Sequence, residues 1–491
     1  MKNYAFFDIN DISAALSEYK FVNIPGDWKS VGVSTDSRTI EKNNIFVALK
    51  GELFDGHDAV LDAVDAGAAA AVVSEQWYIN NFTSKVSFDA NNKKFEATNN
   101  KNNLDKSDKL EYKNIPLVVV PDTLNALKEL AFFHRIRFDF PVIAIAGSNG
   151  KTSTKELIHS VLSQRYNVLK TYKNYNNQIG VPLMMLCFNE KTDIAVIEIG
   201  TNSPGEISLL SEMLKPDFGL ITNIGKEHLE LLIDLDNVEM EETFLFGYLL
   251  KTGGFCFINN DDERLKKYNK LLRKTFTYSA TNQDADFVSN IVINKNLTPK
   301  IQFQIDRNSE PVMIELNATG YAIALNAVAA AAVGVVFDLT PEEIKTGLEN
   351  YKQDTSADYA RMSLQSFSCC SILNDCYNAN PSSMLMALKT LSLYDSAAKK
   401  ISILGDMFEL GDSSQKEHKS VLEYALDVSD EIYLIGKNMT EAAKNFNSHK
   451  IIIFDDFDKI ASKLKCASEK TIALLKGSRG MQMERLLRLI N

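Results

Sequence analysis

The residues best placed to do chemistry sit in one short run, AIAGSNGKTSTKEL, from Ala144 to Leu157. Gly147 and Gly150 bracket Ser148 and Asn149 in a tight turn, and Lys151, Thr152 and Ser153 follow it. Such a turn between a strand and a helix offers backbone N–H groups to phosphate oxygens at the positive end of the helix dipole. Lys151 would reach the terminal phosphates of a nucleotide. The Thr152 hydroxyl would sit on Mg²⁺, a cation that prefers oxygen ligands and keeps several waters. The general phosphate-loop pattern asks for a glycine five residues before the Gly-Lys pair. That position is Ile145 and the nearest upstream glycine is Gly147, so the loop is a shortened form.

Two more polar groups follow apolar runs of the same region. Glu198 lies near the end of IAVIEIG (194–200), and His228 follows in LITNIGKEHLE. A buried, unpaired carboxylate costs several kcal/mol, so Glu198 calls for a bound cation or a salt bridge to Lys or Arg. Ligands of open α/β sheets bind at the carboxyl ends of strands. Lys151, Thr152, Glu198 and His228 would then converge from three strand ends of one sheet. The alternative for His228 taken alone is a surface histidine.

The elements that must position these groups are legible as alternating patterns. VIAIA supplies a strand before the turn, and Leu157, Ile158, Val161 and Leu162 give the helix after it one apolar face. Strand-like runs continue at IAVIEIG, FGLITNIG (218–225) and GGFCFINND (253–261), with helical stretches between, which argues for a mostly parallel sheet. Upstream, IPLVVVPD reads as a strand. The following TLNALKELAFFHRIRF reads as a helix with Leu124, Leu127, Leu130 and Phe133 at helical spacing and Asp122 or Thr123 as its cap. The last third holds five strand-like runs, CSILND, ISILGD, EIYLIG, KIIIFD and TIALLKG, separated by helical stretches such as PSSMLMALKTLSLY, the rhythm of another doubly wound domain. Residues 91–114 are rich in Asn, Lys and Asp and poor in apolar side chains, the composition of a surface insertion. A second seam falls near 350–362. The expectation is an α/β chain of three domains: an N-terminal α/β domain over 1–121 with a flexible insertion at 82–114, a central parallel-sheet phosphate-loop domain over 122–355, and a Rossmann-like C-terminal α/β domain over 356–491.

Bulk numbers agree with that plan. A chain of 491 residues with 45% apolar and 24% charged residues can build several cores. The net charge of −11 argues against general nucleic-acid binding but not against small anionic substrates held in a local basic pocket. The six cysteines (187, 256, 369, 370, 376 and 466) form no CxxC pair and no zinc spacing, and read as thiols in a reducing compartment. No signal peptide and no membrane-spanning run is apparent, so the expected location is the cytoplasm; a monomer is the expected state.

The motifs GSNGKTS, NYNNQIGVPL, IEIGTNSPGEI, TNIGKEHLE, NDCYNANPSSM, LGDMFELG and KGSRGMQME occur in that order. Together they resemble the Mur ligase superfamily, and within it the branch that joins D-alanyl-D-alanine to a UDP-linked muramyl tripeptide. STDSRTIEKNNIFVALKGELFDGHD (34–58) is similar to the N-terminal domain of that branch, so the resemblance spans nearly the whole chain outside 82–114. It implies an ATP-dependent amide ligase of peptidoglycan precursor synthesis, with UDP-N-acetylmuramoyl-tripeptide and D-alanyl-D-alanine as substrates and two Mg²⁺ ions. ATP would phosphorylate the peptide carboxylate, and the amine of the dipeptide would displace the phosphate. The resemblance assigns Lys151 to the β- and γ-phosphates, Thr152 and Glu198 to the first Mg²⁺ and His228 to the second. It further assigns Asn326 to adenine, Arg361 and Asp375 to the nucleotide from the C-terminal domain, and Ser37, Arg38, Lys50, Gly51, Asp55, Gly56 and His57 to the UDP-sugar. Asn176 and Asn177 fall to the muramyl portion. Asn378, Asn380 and Ser382, close to Tyr377, together with Lys476, Ser478 and Arg479, fall to the incoming dipeptide.

Two departures stand out. The family usually carries a lysine fourteen residues after the His of HLE, carbamylated and helping to hold the second Mg²⁺. Here that count lands on Glu242, in NVEMEETFLF, and no lysine lies between Lys226 and Lys251. The favoured reading is that Glu242 supplies the charge directly; the alternatives are that Glu239 or Glu241 does so, or that the second metal site is weakened. Helical spacing puts Glu239 and Glu242 on one face and turns Glu241 about 100° away. The direct reading implies an enzyme that needs no bicarbonate. The second departure is Ala322 and Ile323, where the family places His and Asn. The other readings compatible with the motifs are a different Mur-type amide ligase and a catalytically weak nucleotide-binding relative.

Overall fold

The computed structural model describes residues 2–82, 86–89, 94–97, 114–281, 283–304, 310–353, 360–395, 399–467 and 470–490. The insertion expected at 82–114 and the boundary expected at 355/356 fall largely outside the described residues. By internal contact the chain divides into two units, Met1–Phe140 with Asn174–Thr192, and Pro141–Lys173 with Asp193–Asn491.

In the first unit a five-stranded sheet runs in the order Lys20–Val22, Leu117–Val120, Ala70–Ser74, Ile45–Val47, Val33–Ser34, all parallel except the first. The Thr123–Arg135 helix starts where expected, with the Asp122 carboxylate accepting the Asn125 N–H at 2.6 Å. It packs within this unit against the Gly180–Met185 helix. The sequence reading ended the N-terminal domain at 121, ahead of this helix. The contacts carry the unit on to Phe140 and add the later segment 174–192, because the apolar face of the helix is buried there.

The second unit holds the two largest sheets, of nine and six strands. In the nine-stranded sheet Val168–Lys170, Ile194–Glu198, Val142–Ala146, Phe218–Ile221, Phe255–Asn259, Thr275–Ser279 and Phe287–Ile293 lie side by side and parallel. Strands buried on both faces carry continuous apolar runs, and Val142–Ala146 and Ile194–Glu198 are buried at every position. Beyond them Pro299–Phe303 and Val312–Glu315 add an antiparallel meander. The sequence reading did not place these strands, which are buried at only alternate positions and mix polar with apolar residues. The Lys151–Leu162 helix packs on the alanine-rich Tyr321–Val336 helix. Small side chains permit the close approach: a Cβ on Gly334 would meet Val161 Cγ1 at 2.8 Å.

The C-terminal sheet runs Ser363–Ser366, Ser371–Asn374, Thr471–Lys476, Lys399–Gly405, Glu431–Ile435, Ile451–Phe454. The five strands anticipated from sequence are all present and parallel, and Ser363–Ser366 adds an antiparallel edge. Alternate residues feed two cores: Ile372, Ile403, Tyr433 and Leu475 on one face, Leu373, Leu404, Leu434 and Leu474 on the other. Leu229, Leu232 and Val238, from the segment after the Phe218–Ile221 strand, join the second of these cores. The cysteines are unpaired, and four of them (256, 369, 370, 376) are buried. Among the described residues no helix is long and apolar enough to cross a membrane.

Candidate active site

The Val142–Ala146 strand delivers the glycine turn to the rim of the nine-stranded sheet. Gly147 (φ +112°) and Gly150 (φ +84°) are left-handed, a conformation other residues rarely hold. Gly147 is also hemmed in, since a Cβ there would meet Thr222 Oγ1 at 2.4 Å. Gly150 is the N-cap of the Lys151–Leu162 helix and offers no side chain to it, so the first N–H groups stay available to an anion. The short turn is braced by TNIG (222–225). Ser148 Oγ donates to the Gly225 carbonyl at 2.9 Å and accepts its N–H at 2.8 Å, and the Asn149 carbonyl accepts from Thr222 Oγ1 (2.7 Å) and Asn223 Nδ2 (2.8 Å).

Lys151 Nζ donates to the Gly147 carbonyl and lies 3.7 Å from the buried Glu227 carboxylate. Burial opposes its charge, but Glu227, Glu242 and Glu198 together prevail and raise its pKa. Glu198 is opposite Ile145 in the parallel register and is 2% exposed. Its N–H donates to Thr171 Oγ1 at 2.8 Å, and its carboxylate is 3.9 Å from Lys155 Nζ. Lys155 is fully buried and also donates to the carbonyls of Thr171 (2.9 Å) and Lys173 (3.2 Å). Thr152 and Ser153 occupy the first turn of the same helix. His228, left-handed at φ +47°, holds the Glu409 carboxylate at 2.6 Å through Nδ1, and its Nε2 is 3.9 Å from Glu227.

The three glutamates of NVEMEE part company. Glu239 pairs with Arg264 (2.8 Å), Lys267 and the Tyr268 hydroxyl (3.0 Å). Glu241 accepts the N–H groups of Gly205 (2.7 Å) and Ile207 (2.8 Å) at the start of the Glu206–Leu214 helix. Glu242, fully buried, accepts the Gly147 N–H at 2.7 Å and so joins the phosphate loop. Burial, helped by the Glu227 carboxyl and opposed by Lys151, pushes its pKa up to about 8. Glu227 Oε1 and Glu242 Oε1 are buried without a hydrogen-bond partner, as oxygens meant for a cation would be. Among the described residues no three His, Cys, Asp or Glu side chains form a self-contained metal site. Mg²⁺ does not ask for one, because waters and phosphates supply most of its ligands; the oxygen-rich rim fits it.

Three further elements reach this rim. The Asn326 amide lies against Gly150, where a Cβ would meet its Oδ1 at 2.7 Å. Arg361 stacks 4.0 Å over the Tyr377 ring and is close enough to Lys151 to oppose its charge. Asn380 Nδ2 donates to Asn149 Oδ1 at 2.9 Å, while its Oδ1 caps the Pro381–Leu393 helix; Ser382 Oγ accepts the Lys226 N–H at 3.0 Å. Asn380 and Ser382, expected at the dipeptide, therefore spend these groups on the phosphate loop and its brace.

Other expected ligand contacts are committed inside the fold. Lys476, 2% exposed, binds Asp375 (2.6 Å) and the Asn378 carbonyl (2.8 Å). Ser478 is buried between Phe408 N–H and the Ala379 carbonyl. Asn378 is exposed and the Arg479 side chain is 48% exposed. In the first unit His57 is buried, with Nδ1 2.5 Å from Asp55 and Nε2 accepting the Ser74 N–H at 2.9 Å. Both ring nitrogens are spent, so His57 shapes the Lys50–His57 loop rather than meeting a substrate. Gly56 passes so close to Leu49 that a Cβ would lie 2.6 Å from its carbonyl, and Gly51 N–H donates to Phe54 O. Arg38, its side chain 87% exposed, is steadied by Asp36 at the short Ser37–Thr39 helix, and Lys50 is exposed. Asn177 Oδ1 accepts from Ile179 and Gly180 N–H beside Asn176.

Sequence reasoning missed Lys155, Glu227 and Glu409. Lys155 had a signal: it sits three residues before Ile158 and seven before Leu162, on the apolar face. Glu227 and Glu409 had none, because their partners are set by tertiary structure.

Three family models match in order: the Mur ligase family catalytic domain at 29–135, the Mur ligase middle domain at 145–334, and the Mur ligase glutamate ligase domain at 360–479. The UDP-N-acetylmuramoyl-tripeptide–D-alanyl-D-alanine ligase of Bacillus subtilis is 33% identical over 93% of this chain and 92% of its own length. The enzyme of the same name from Escherichia coli is 31% identical over 93% and 92%. A crystal structure of MurF from Acinetobacter baumannii superposes with a TM-score of 0.82 at 26% identity, covering 100% of this chain and 99% of that one. MurF ligase from Thermotoga maritima, solved in complex with ADP, shares the fold at a TM-score of 0.75 and 24% identity, over 94% of this chain and 96% of that one. A glycine turn braced by a neighbouring strand end, a lysine ringed by carboxylates, and relatives matched almost end to end agree: the chain belongs to the Mur ligase family.

Proposed function

We propose that this protein joins D-alanyl-D-alanine to the terminal carboxylate of UDP-N-acetylmuramoyl-tripeptide at the expense of ATP, in the cytoplasm and as a monomer. The observation that carries the reading is the Lys151 ammonium held at the glycine turn among Glu198, Glu227 and Glu242, in a chain whose curated relatives bear that name along nearly their whole length. The peptide carboxylate attacks the γ-phosphorus and the bond to ADP breaks. The dipeptide amine then attacks the acyl carbon, loses a proton and expels phosphate, leaving an amide. Both steps move charge between oxyanions, so positioned cations and N–H groups carry most of the catalysis.

Lys151 and the N–H groups from Gly150 to Ser153 bind the β- and γ-phosphates, while the Ser148 and Asn149 N–H groups are held by Asn223. Thr152 and Glu198 would hold one Mg²⁺, and His228 with Glu242 or Glu227 a second; ions bound there would supply neutralisation of the converging phosphate and carboxylate charge. Asn326 meets the adenine side, and Arg361 approaches from the C-terminal region. Asp375 and Lys476 set the shape of the 375–380 loop, and Asn378 together with the Arg479 guanidinium, which Glu484 steadies at 3.4 Å, meets the dipeptide carboxylate, a group that suits bidentate pairing. Arg38 and Lys50 attract the UDP diphosphate, with Ser37, Gly51, Asp55, Gly56 and His57 shaping their loops, and Asn176 and Asn177 take the muramyl portion.

Phosphate release from ATP tests the reading. With UDP-linked tripeptide it should require D-alanyl-D-alanine, ignore meso-diaminopimelate, lysine and glutamate, and vanish in Lys151→Ala. Release supported equally by a single amino acid, or ATP binding without amide formation, would overturn it.

A further inference from the structure

His228 and Glu409 meet through backbone conformations that neither side chain favours. His228 has φ +47° and Glu409 φ +60°, both in the left-handed region that non-glycine residues seldom occupy and that clusters at functional sites. Between them lies the 2.6 Å contact from imidazole Nδ1 to carboxylate, and beside it the Glu230 N–H donates to the Glu409 carbonyl at 3.0 Å. The surrounding segment is gripped by the C-terminal region at other points as well. Lys226 pairs with Glu417 at 2.6 Å and its N–H meets Ser382 at 3.0 Å, while Leu229, Leu232 and Val238 share a core with Leu388 and Met407. Although this segment follows a strand of the nine-stranded sheet, its buried Leu229, Leu232 and Val238 belong to a core of the C-terminal sheet.

A carboxylate on one imidazole nitrogen fixes which nitrogen carries the proton and how the ring is aimed. In the neutral imidazole, an Nδ1–H donated to Glu409 leaves the lone pair on Nε2. Nε2 faces Glu227 at 3.9 Å, and Glu227 is 3.7 Å from Lys151, so the lone pair is on the phosphate-loop side.

We propose that Glu409 is a positioning residue that presents His228 Nε2 to the divalent cation, and that the C-terminal loop carrying it thereby completes the cation site. The inference rests on His228 being a cation ligand. The carboxylate comes from the loop after the Lys399–Gly405 strand, so seating of the C-terminal region and readiness of the imidazole become one event.

The test uses the full chain and two variants. Glu409→Gln keeps the shape and loses the charge; Glu409→Gly removes the carboxylate and relieves the left-handed backbone. Long-range ¹⁵N–¹H spectra of histidine-labelled, metal-free protein report the tautomer, and His228→Ala identifies the His228 signals among the six histidines. Mn²⁺ binding to the ADP complex, followed by electron paramagnetic resonance, reports the site. Wild type should show a single Nδ1–H tautomer at His228. Both Glu409 variants should lose that preference and bind Mn²⁺ about 10- to 100-fold more weakly, with a matching rise in the Mg²⁺ needed for half-maximal turnover and an unchanged KM for D-alanyl-D-alanine. Unchanged Mn²⁺ affinity in both Glu409 variants, where His228→Ala weakens it, would overturn the proposal. Unchanged affinity in His228→Ala would instead remove the ligand role of His228 on which it rests.

Discussion

Glu242 is a side chain whose surroundings strongly alter its chemistry. It is fully buried, with one oxygen on the Gly147 N–H and the other without a partner. A carboxyl whose pKa rises on folding contributes fully below its ordinary value of 4.5 and loses that contribution as pH climbs through about 8. The ligand-free protein is therefore expected to lose stability across that window, and Glu242→Gln to flatten the loss, as urea midpoints measured from pH 4.5 to 8 would show. In turnover at limiting Mg²⁺, Glu242→Gln should fall by about tenfold or more, and wild type should not respond to bicarbonate; full activity of the variant would make Glu242 a bystander. The sequence favoured Glu242 among three glutamates, by its count from His228, but spacing could not show what each of them meets. Glu239 and Glu242 do share a face, yet one meets Arg264 and Lys267 and the other the phosphate loop. Those partners are remote in sequence, so spacing alone is silent about them. Lys155 teaches the same lesson: its place on the apolar face was readable, its carbonyl partners 16 and 18 residues away were not.

Among the elements, the strand-turn-helix from Val142 to Leu162 was the most readable, because a buried run, two glycines and an amphipathic face are all local features. Less readable was what braces it. The Pro381–Leu393 helix begins at Asn380, whose carbonyl oxygen caps Ser383 N–H at 2.8 Å while its amide nitrogen reaches Asn149. Asn380→Asp separates the two jobs: the cap acceptor survives, but a carboxylate oxygen now faces Asn149 Oδ1. Stability should stay close to wild type, while KM for ATP rises about five- to tenfold, the equivalent of one lost hydrogen bond of roughly 1 kcal/mol. An unchanged KM would make the contact incidental. The Phe287–Ile293, Pro299–Phe303 and Val312–Glu315 strands escaped the sequence reading for the opposite reason: each is half-exposed, and only pairing with its neighbours makes it a strand.

For the molecule as a whole, apolar packing ignores the order of the chain. Leu229, Leu232 and Val238 share a core with Leu373, Leu388 and Leu434. Leu388→Ala should cost about 2–5 kcal/mol and speed amide hydrogen exchange over Leu229–Val238 more than over Val142–Ala146, read by mass spectrometry; equal effects on both would mean that the core is not shared as described. The excursion of Asn174–Thr192 into the first unit is a second case. There His134 Nε2 meets the Phe188 carbonyl at 2.9 Å, and Phe138 and Phe140 pack their rings on Phe188. A recombination event that transplanted residues 1–140 into another gene would leave that aromatic nest open and the imidazole stranded. What looks in the gene like an independent N-terminal module can be passed on whole only together with coding sequence that lies beyond the phosphate loop.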